Sequence, residues 1–351
     1  MPRVFCFLLM ILNSYTCQKG TGDLFSVNIF DIHMLKDMAM TIGQKKLKLG
    51  ISSCLLGKKV RYDGEHKLDE WIKNTLGQIA TFTAACPEYE CGMSIPRPPM
   101  HLEGTQDNPK LVQTLSKLDL TKQMNNWIKL QIKKLKSQDL DGYIFKSRSP
   151  SCGLRNIKIF SPTNKLSSSN GVGLFAKELT KVFPLLPIED EERLHNPKYR
   201  ENFIELILVM KRWRELNWQR KNLKNLLIFH TKHKLLIMSH SVSYCKEMEK
   251  LLTNNPKAYS MLYQIYHQLL VKALRLHTTT QKHFKVLKHA ANYCKSNLSS
   301  DENKELLVIL DKYKNDLLPL NIPIKLIYHY AKKYRLEYLL EQHYFNPPLL
   351  S

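Results

Sequence analysis

The chain has 351 residues, with 53 Lys and Arg against 31 Asp and Glu, for a formal net charge of +22. At 43% hydrophobic residues, with Gly and Pro both sparse, it excludes a fibrous or disordered chain and supplies enough apolar material for two cores. Eight cysteines, none in a CxxC pair, exclude a disulfide scaffold and fit a reducing, cytoplasmic setting.

The positive excess is shared evenly by the chain before and after Ile188. A field of that extent favours a polyanion, nucleic acid first and anionic membrane second, because each neutralised phosphate releases counterions. A compositional bias toward lysine gives the same sum with no partner.

Residues 1–45 do not read as part of the fold. Arg3 followed by the apolar run Val4 to Leu12 has the charged start and short hydrophobic stretch of a secretory signal, but is too short to span a bilayer. No A-x-A-like cleavage site follows Leu12, and Met34, Met38 and Met40 precede the first convincing strand. A start codon placed too early is favoured over a working signal, and no stable membrane association is expected.

Residues 46–187 alternate short apolar runs with helical stretches, the pattern of an α/β Rossmann-like domain with a mainly parallel sheet. Strands are expected over Leu47 to Ser53, Ile79 to Ala85 and Tyr143 to Lys146, and helices over Leu68 to Leu76, Met124 to Lys136 and Leu174 to Phe183. The Ser/Gly-rich stretch Asn164 to Gly173 reads as a loop within this domain. Cys54 and Cys86 directly follow the first two strands, and Cys152 falls in a turn after the third. Carboxyl ends of parallel strands are where open α/β sheets bind ligands, so distant cysteines can meet there.

Residues 188–351 read as all-helical. Ile188 to Arg193 (IEDEER) forms an acidic patch, and amphipathic runs follow over Glu201 to Arg220, Leu223 to Met238, Ser241 to Leu252, Lys257 to Leu274, Gln281 to Lys295, Asp301 to Asp316 and Pro323 to Tyr334. Asn254-Asn255-Pro256 is a break, and Thr278 to Thr280 and Ser300 or Asp301 are candidate helix caps.

Three motifs carry the chemistry. SSCLLG with RYDG (residues 52–57 and 61–64) places Cys54 between a buried strand and a turn. CPEYECG (residues 86–92), followed by the proline-rich Ser94 to Pro99, sets Glu88 beside Cys86 on a stiffened path. KSRSPSCG (residues 146–153) brings Ser149, Ser151, Lys146 and Arg148 to Cys152. Thiolates select zinc or iron–sulfur clusters, and three of them leave one coordination position open for substrate or water, which suits catalysis.

In that order these motifs resemble the TudS thiouracil desulfidase family over about residues 47–187. The remainder, from RENFIELI and FHTKHKLLIMSH onward, resembles the YbgA-type domain of unclear activity. The resemblance implies a 4Fe-4S cluster on Cys54, Cys86 and Cys152, whose iron free of protein ligand takes the sulfur of a thiocarbonyl in a hydrolytic, non-redox reaction. It also implies Glu88 as acid/base and Ser149 as a hydrogen-bonding partner of substrate or sulfur. Cys91 lies outside that ligand set, and were it to reach the cluster the open position would close.

The expected substrate is a thiolated pyrimidine, 4-thiouridine in tRNA, chosen because of the fused basic half. Free 2-thiouracil or 4-thiouracil is the alternative, and a non-catalytic cluster protein that binds nucleic acid is a third reading. Thr278 to Lys288, with Arg212, Arg214, Lys232 and Lys234, could set cations and helix ends against phosphates. His230, His233, His240, His283 and His289 read as a solvated or RNA-facing surface, with no metal assigned. Tyr263, Tyr266, Trp213 and Trp218 read mostly as core.

Overall fold

A computed structural model describes residues 46–163, 165–254 and 259–345. The expectations for residues 1–45 lie outside the described residues, as does most of the Asn254-Asn255-Pro256 break.

The first strand, β1 (Leu47–Ser52), is the hub of the amino-terminal half. Leu47, Leu49 and Ile51 are fully buried, each contributing about 1.5–3 kcal/mol by leaving water. Leu47, Leu49 and Ile51 fall on one face of the strand, alternating with Lys48, Gly50 and Ser52, and of the six only Lys48 is exposed. Gly50 is required here: a Cβ would come within 2.1 Å of the Tyr143 ring packed on it. β1 pairs in parallel with β2 (Ala80–Ala85) on one side and, on the other, with β5 (Gly142–Phe145). β8 (Ile188–Asp190) completes a four-stranded, all-parallel sheet of order β2-β1-β5-β8. The α/β architecture expected from the alternating pattern is therefore present.

Between these strands run α1 (Pro87–Glu90), β3 (Met100–Gly104), β4 (Pro109–Gln113), α2 (Thr121–Lys136), β6 (Ile157–Phe160), β7 (Leu166–Gly171) and α3 (Leu174–Val182). β3, β4, β6 and β7 form a second, mixed sheet of order β4-β3-β6-β7. The Ser/Gly-rich stretch expected as a loop thus contains an edge strand, β7. Its residues are mostly exposed, so the apolar alternation that marks a strand is missing, and pairing with β6 decides its conformation. The helix expected over 68–76 is a short π-helical turn at Trp71–Thr75 followed by a 3-10 turn, started by Asp69 Oδ1 accepting from the Ile72 N–H at 2.9 Å.

The carboxyl-terminal half is helical: α4 (Glu191–Leu194), α5 (Pro197–Asn217), α6 (Leu223–His240), α7 (Val242–Thr253), α8 (Tyr259–Leu274), α9 (Thr280–Cys294), α10 (Ser300–Lys314), α11 (Asn321–Lys333) and α12 (Glu337–Leu340). Thr279 caps α9. Ser299, one residue before the expected Ser300 or Asp301, caps α10. It does so through a reciprocal pair in which Ser299 Oγ accepts from the Glu302 N–H and Glu302 accepts from the Ser299 N–H. Among the described residues no helix is long and apolar enough to cross a membrane.

Helix α5 joins the halves. Phe203, Ile204, Ile207 and Leu208 pack with β1 in the sheet core, while Leu206, Val209, Met210 and Trp213 pack into the helical core. Near its carboxyl end Arg214 forms an ion pair with the fully buried Asp141 carboxylate and donates to the Asp139 carbonyl. Asp141 also accepts from the Lys48 N–H at 2.8 Å, so one carboxylate ties α5 to β1 and to the segment entering β5.

Candidate active site

The parallel sheet brings the three motif cysteines to one edge. Cys54 sits in a 3-10 turn after β1, closed by Gly57 at φ 88°, a left-handed conformation that favours glycine. Cys86 directly follows β2 at the start of α1, and its N–H donates to Glu90 Oε1 at 2.7 Å. Cys152 lies in the turn after β5, on the far side of β1 from β2, so the strand that leads into Cys54 is the middle one of the three. Cys54 and Cys86 line a cleft of about 660 Å³ with Arg61, Glu88, Lys146 and Ser149. Cys152 is buried, with the Ser151 hydroxyl 3.9 Å from its Sγ.

Burial, reinforced by neighbouring Cys86, pushes the Cys54 thiol up to about 12. Burial likewise raises Cys86, with Glu88 adding to it, and raises Cys152 well above the usual thiol range, with Cys86 and Glu88 adding to it. Each of the three thiols is thus within electrostatic reach of another and keeps its proton at neutral pH unless a cation discharges it. Metal coordination does this outright. The donor set fits a thiophilic metal group.

The turn 146–153 is built from its own hydroxyls. Ser149 Oγ accepts from the N–H groups of Ser151 at 3.2 Å and Cys152 at 3.1 Å, and the Gly153 N–H donates to the Ser149 carbonyl at 2.8 Å. Gly173 lets this turn close against α3, since a Cβ there would meet the Ser151 carbonyl carbon at 2.5 Å. With its lone pairs committed to backbone, Ser149 shares its O–H between Ser151 Oγ at 2.9 Å and Glu88 Oε1 at 3.3 Å. Ser151 donates to the same oxygen at 2.6 Å.

Four donors converge on Glu88. Oε1 faces the two serines, and Oε2 receives Arg97 Nε at 3.1 Å and Nη2 at 2.5 Å. Arg97 also donates to the Val60 carbonyl at 3.0 Å, the same oxygen that faces the Cys86 thiol at 3.7 Å. Arg97, 6% exposed, therefore fixes the carboxyl group relative to a cysteine. Sequence reading placed Glu88 and Ser149 but gave Arg97 no role. Its position in the run Ser94 to Pro99, adjacent to the CPE motif, was the available signal.

Glu191 was also missed. The run expected as an acidic patch is largely buried: Glu189, Asp190 and Glu191 are each 9% exposed or less. Glu191 accepts from Lys146 Nζ at 2.5 Å and from the Ser147 N–H and hydroxyl, each at 2.7 Å. Glu189 and Asp190 pair with Arg155. The charges serve to pin the cysteine-bearing turn, which a local charge count cannot reveal.

Cys91 follows α1, half-buried, with its thiol donating to the Glu88 carbonyl at 3.3 Å and packing among the apolar residues beneath α2. It is not among the residues lining the cleft.

The helical half departs from the expected basic surface. His230, His233 and His240 are buried; burial pushes His230 down to about 4 and His233 well below the usual imidazole range. Lys234 pairs with Glu249 at 2.6 Å, Lys232 with Glu341 at 3.7 Å, and Arg214 with Asp141. Arg212 is lowered to about 10 by burial, against the pull of Glu205. The cations left open to solvent in the expected stretch are Lys285 and Lys288, beside His289 on one face of α9 and continued by Lys295. Trp213, Tyr263 and Tyr266 are core, whereas Trp218 is 58% exposed.

Comparison with known proteins agrees with this division. A family model described as 2-thiouracil desulfurase matches residues 49–191, and one described as a protein of unknown function (DUF1722) matches residues 234–348. Over 108 residues the chain is 32% identical to the uncharacterized protein YbbK of Bacillus subtilis, spanning 29% of this chain and 71% of that protein.

The chain belongs to the 2-thiouracil desulfurase family.

Its other half is similar to the uncharacterized protein YbgA of Escherichia coli, 27% identical over 123 residues, 34% of this chain and 73% of that protein. Among solved structures, a 4Fe-4S-dependent thiouracil desulfidase, TudS, is 29% identical with a TM-score of 0.34, covering 42% of this chain and 93% of its own. The desulfurase match ends at Glu191, the residue that holds the Cys152 turn in place.

Proposed function

We propose that the chain removes sulfur from 4-thiouridine in tRNA by hydrolysis, at a 4Fe-4S cluster held by Cys54, Cys86 and Cys152. The observation that carries this reading is the convergence of Glu88 with Ser149 and Ser151 beside a cleft lined by two of three strand-end cysteines.

When bound, such a cluster supplies a thiophilic Lewis acid. The chain's own groups do the rest. Glu88, oriented by Arg97 on one oxygen and by two serines on the other, exchanges protons with the water that adds to the thiocarbonyl carbon and with the departing sulfur. Ser149 directs its hydroxyl into the same site. Lys67 at the cleft rim, with Lys285 and Lys288 on α9 and Lys295 just after it, supplies cations for phosphates.

The test is anaerobic purification with iron and sulfide assay, then incubation with thiolated tRNA and with free thiouracil, following thiocarbonyl absorbance and released sulfide. Iron and sulfide in the protein, with tRNA preferred over free base, is the expected result. Turnover of free base alone would point to salvage instead, and a protein without iron that releases no sulfide would overturn the reading.

A further inference from the structure

The helical half contains a second cluster of metal-ligating side chains, remote in sequence from the cysteine triad. Cys245 and Glu249 lie one turn apart on the same face of α7, and His230 faces them from α6. One ligand atom from each lies within 4.8 Å of the other two. His230 Nε2 is 4.0 Å from Glu249 Oε1, and it is buried without a hydrogen-bond partner. The imidazole is 5% exposed, and an unpaired buried polar atom of that kind is destabilising unless something binds it.

The opposite nitrogen fixes how that atom presents itself. Nδ1 is 3.1 Å from the Tyr266 hydroxyl, itself fully buried on α8. If Nδ1–H donates to the Tyr266 oxygen, the Nε2 lone pair is left pointing at Cys245 and Glu249. Metal-ligating histidines are oriented in this way, the far nitrogen donating to a fixed oxygen.

We propose that His230, Cys245 and Glu249 form a zinc site in the helical half, separate from the cluster of the desulfurase half. One imidazole, one thiolate and one carboxylate carry two negative charges that a divalent ion neutralises, and three protein ligands of mixed N, S and O type are those of an open tetrahedral zinc site. Zinc bonds of about 2.0–2.3 Å place ligand atoms about 3.3–3.7 Å apart, so closure from the observed spacing needs side-chain rotation and no helix movement. Lys234, 2.6 Å from Glu249 Oε1, neutralises the carboxylate in the metal-free chain and is one-third exposed, so it can swing outward. The fourth position lies toward Glu249, the partly exposed member of the three.

The full-length protein is dialysed against zinc, then metal-free buffer, and its metals are measured by mass spectrometry; cobalt uptake is followed by the thiolate charge-transfer band. About one zinc per chain is expected, in the wild type and equally in a Cys54→Ala, Cys86→Ala, Cys152→Ala triple variant that has lost its iron. Cys245→Ser and His230→Gln should each retain about tenfold less zinc, and Cys245→Ser should lose the cobalt band. Glu249→Gln, which keeps the shape of the side chain, guards against misfolding of the other two. A folded wild type that takes up no more zinc than Glu249→Gln or Cys245→Ser overturns the proposal, and so does zinc that disappears with the triple variant.

Discussion

The two halves of the molecule place their buried polar groups in opposite ways. In the α/β half, Glu88, Arg97, Ser149, Lys146 and Glu191 converge on one open cleft in two networks, Glu88 with Arg97 and Ser149, and Glu191 with Lys146. In the helical half the buried histidines are dispersed and bonded to separate partners, His233 to the Phe229 carbonyl one turn back at 2.8 Å and His240 to Glu205 of α5 at 2.6 Å. A parallel sheet collects chain reversals at one edge, so groups from distant segments meet there. A helix bundle distributes its inward positions along each helix and has no such edge. The difference is why the polar groups of the first half meet in a cleft, whereas those of the second meet, among the described residues, in the cluster at His230.

The largest expected effect tests the first half directly. Cys54→Ala, Cys86→Ala or Cys152→Ala should each abolish desulfidation and iron content, whereas Cys91→Ala should leave both intact, as measured by iron assay and sulfide release. Glu88→Gln should keep iron but reduce turnover on the order of 10²–10⁴-fold, the range of general acid–base contributions, read as kcat at saturating substrate. Equal loss in Ser149→Ala would shift the acid/base role toward the serine.

The junction comes next. Arg214→Ala leaves the Asp141 carboxylate buried without its cation, which should cost about 3–5 kcal/mol in urea denaturation. Two separated transitions in that variant would show that the halves fold as independent units, and one would show that α5 makes them cooperative. On the binding side, Lys285→Glu with Lys288→Glu should raise KM for thiolated tRNA about tenfold at low salt with no change for free thiouracil.

The smallest effect lies in the helical half alone. Burial tends to raise the Glu302 carboxyl, but Lys333, the Ser299 N–H and Tyr334 outweigh it and hold it down at about 2. A folded value below the ordinary one, about 4.3, means that the stability it contributes is fully present above that pH and is lost as pH falls toward 2. Glu302→Gln should cost about 1 kcal/mol at neutral pH. The difference from wild type should vanish near pH 2 in thermal melts.

Much of this was legible before any coordinates. β1 announces itself as a strand because Leu47, Leu49 and Ile51 recur at every second residue and form one apolar face, and the parallel order follows once helical stretches separate the strands. The placement of Cys54, Cys86 and Cys152 at one sheet edge was legible because strand ends in such a sheet are neighbours. The seven long helices were set by their apolar spacing, with boundaries displaced by a few residues where caps such as Ser299 lie outside the apolar run.

What the amino-acid order determined by itself is the local pattern: which segments are strands and helices, which thiols follow strands, and that both halves are basic. Tertiary structure alone decided which charges remain free. IEDEER reads as a solvated acidic face until Arg155 and Lys146 arrive from elsewhere in the chain, 34 to 45 residues away in the pairs they make. His230 and His233 read as a basic face until α8 and the carboxyl-terminal segment cover them. A charge or an imidazole is polar in either setting, and its burial is set by long-range packing, which leaves no periodic signature in the segment that carries it.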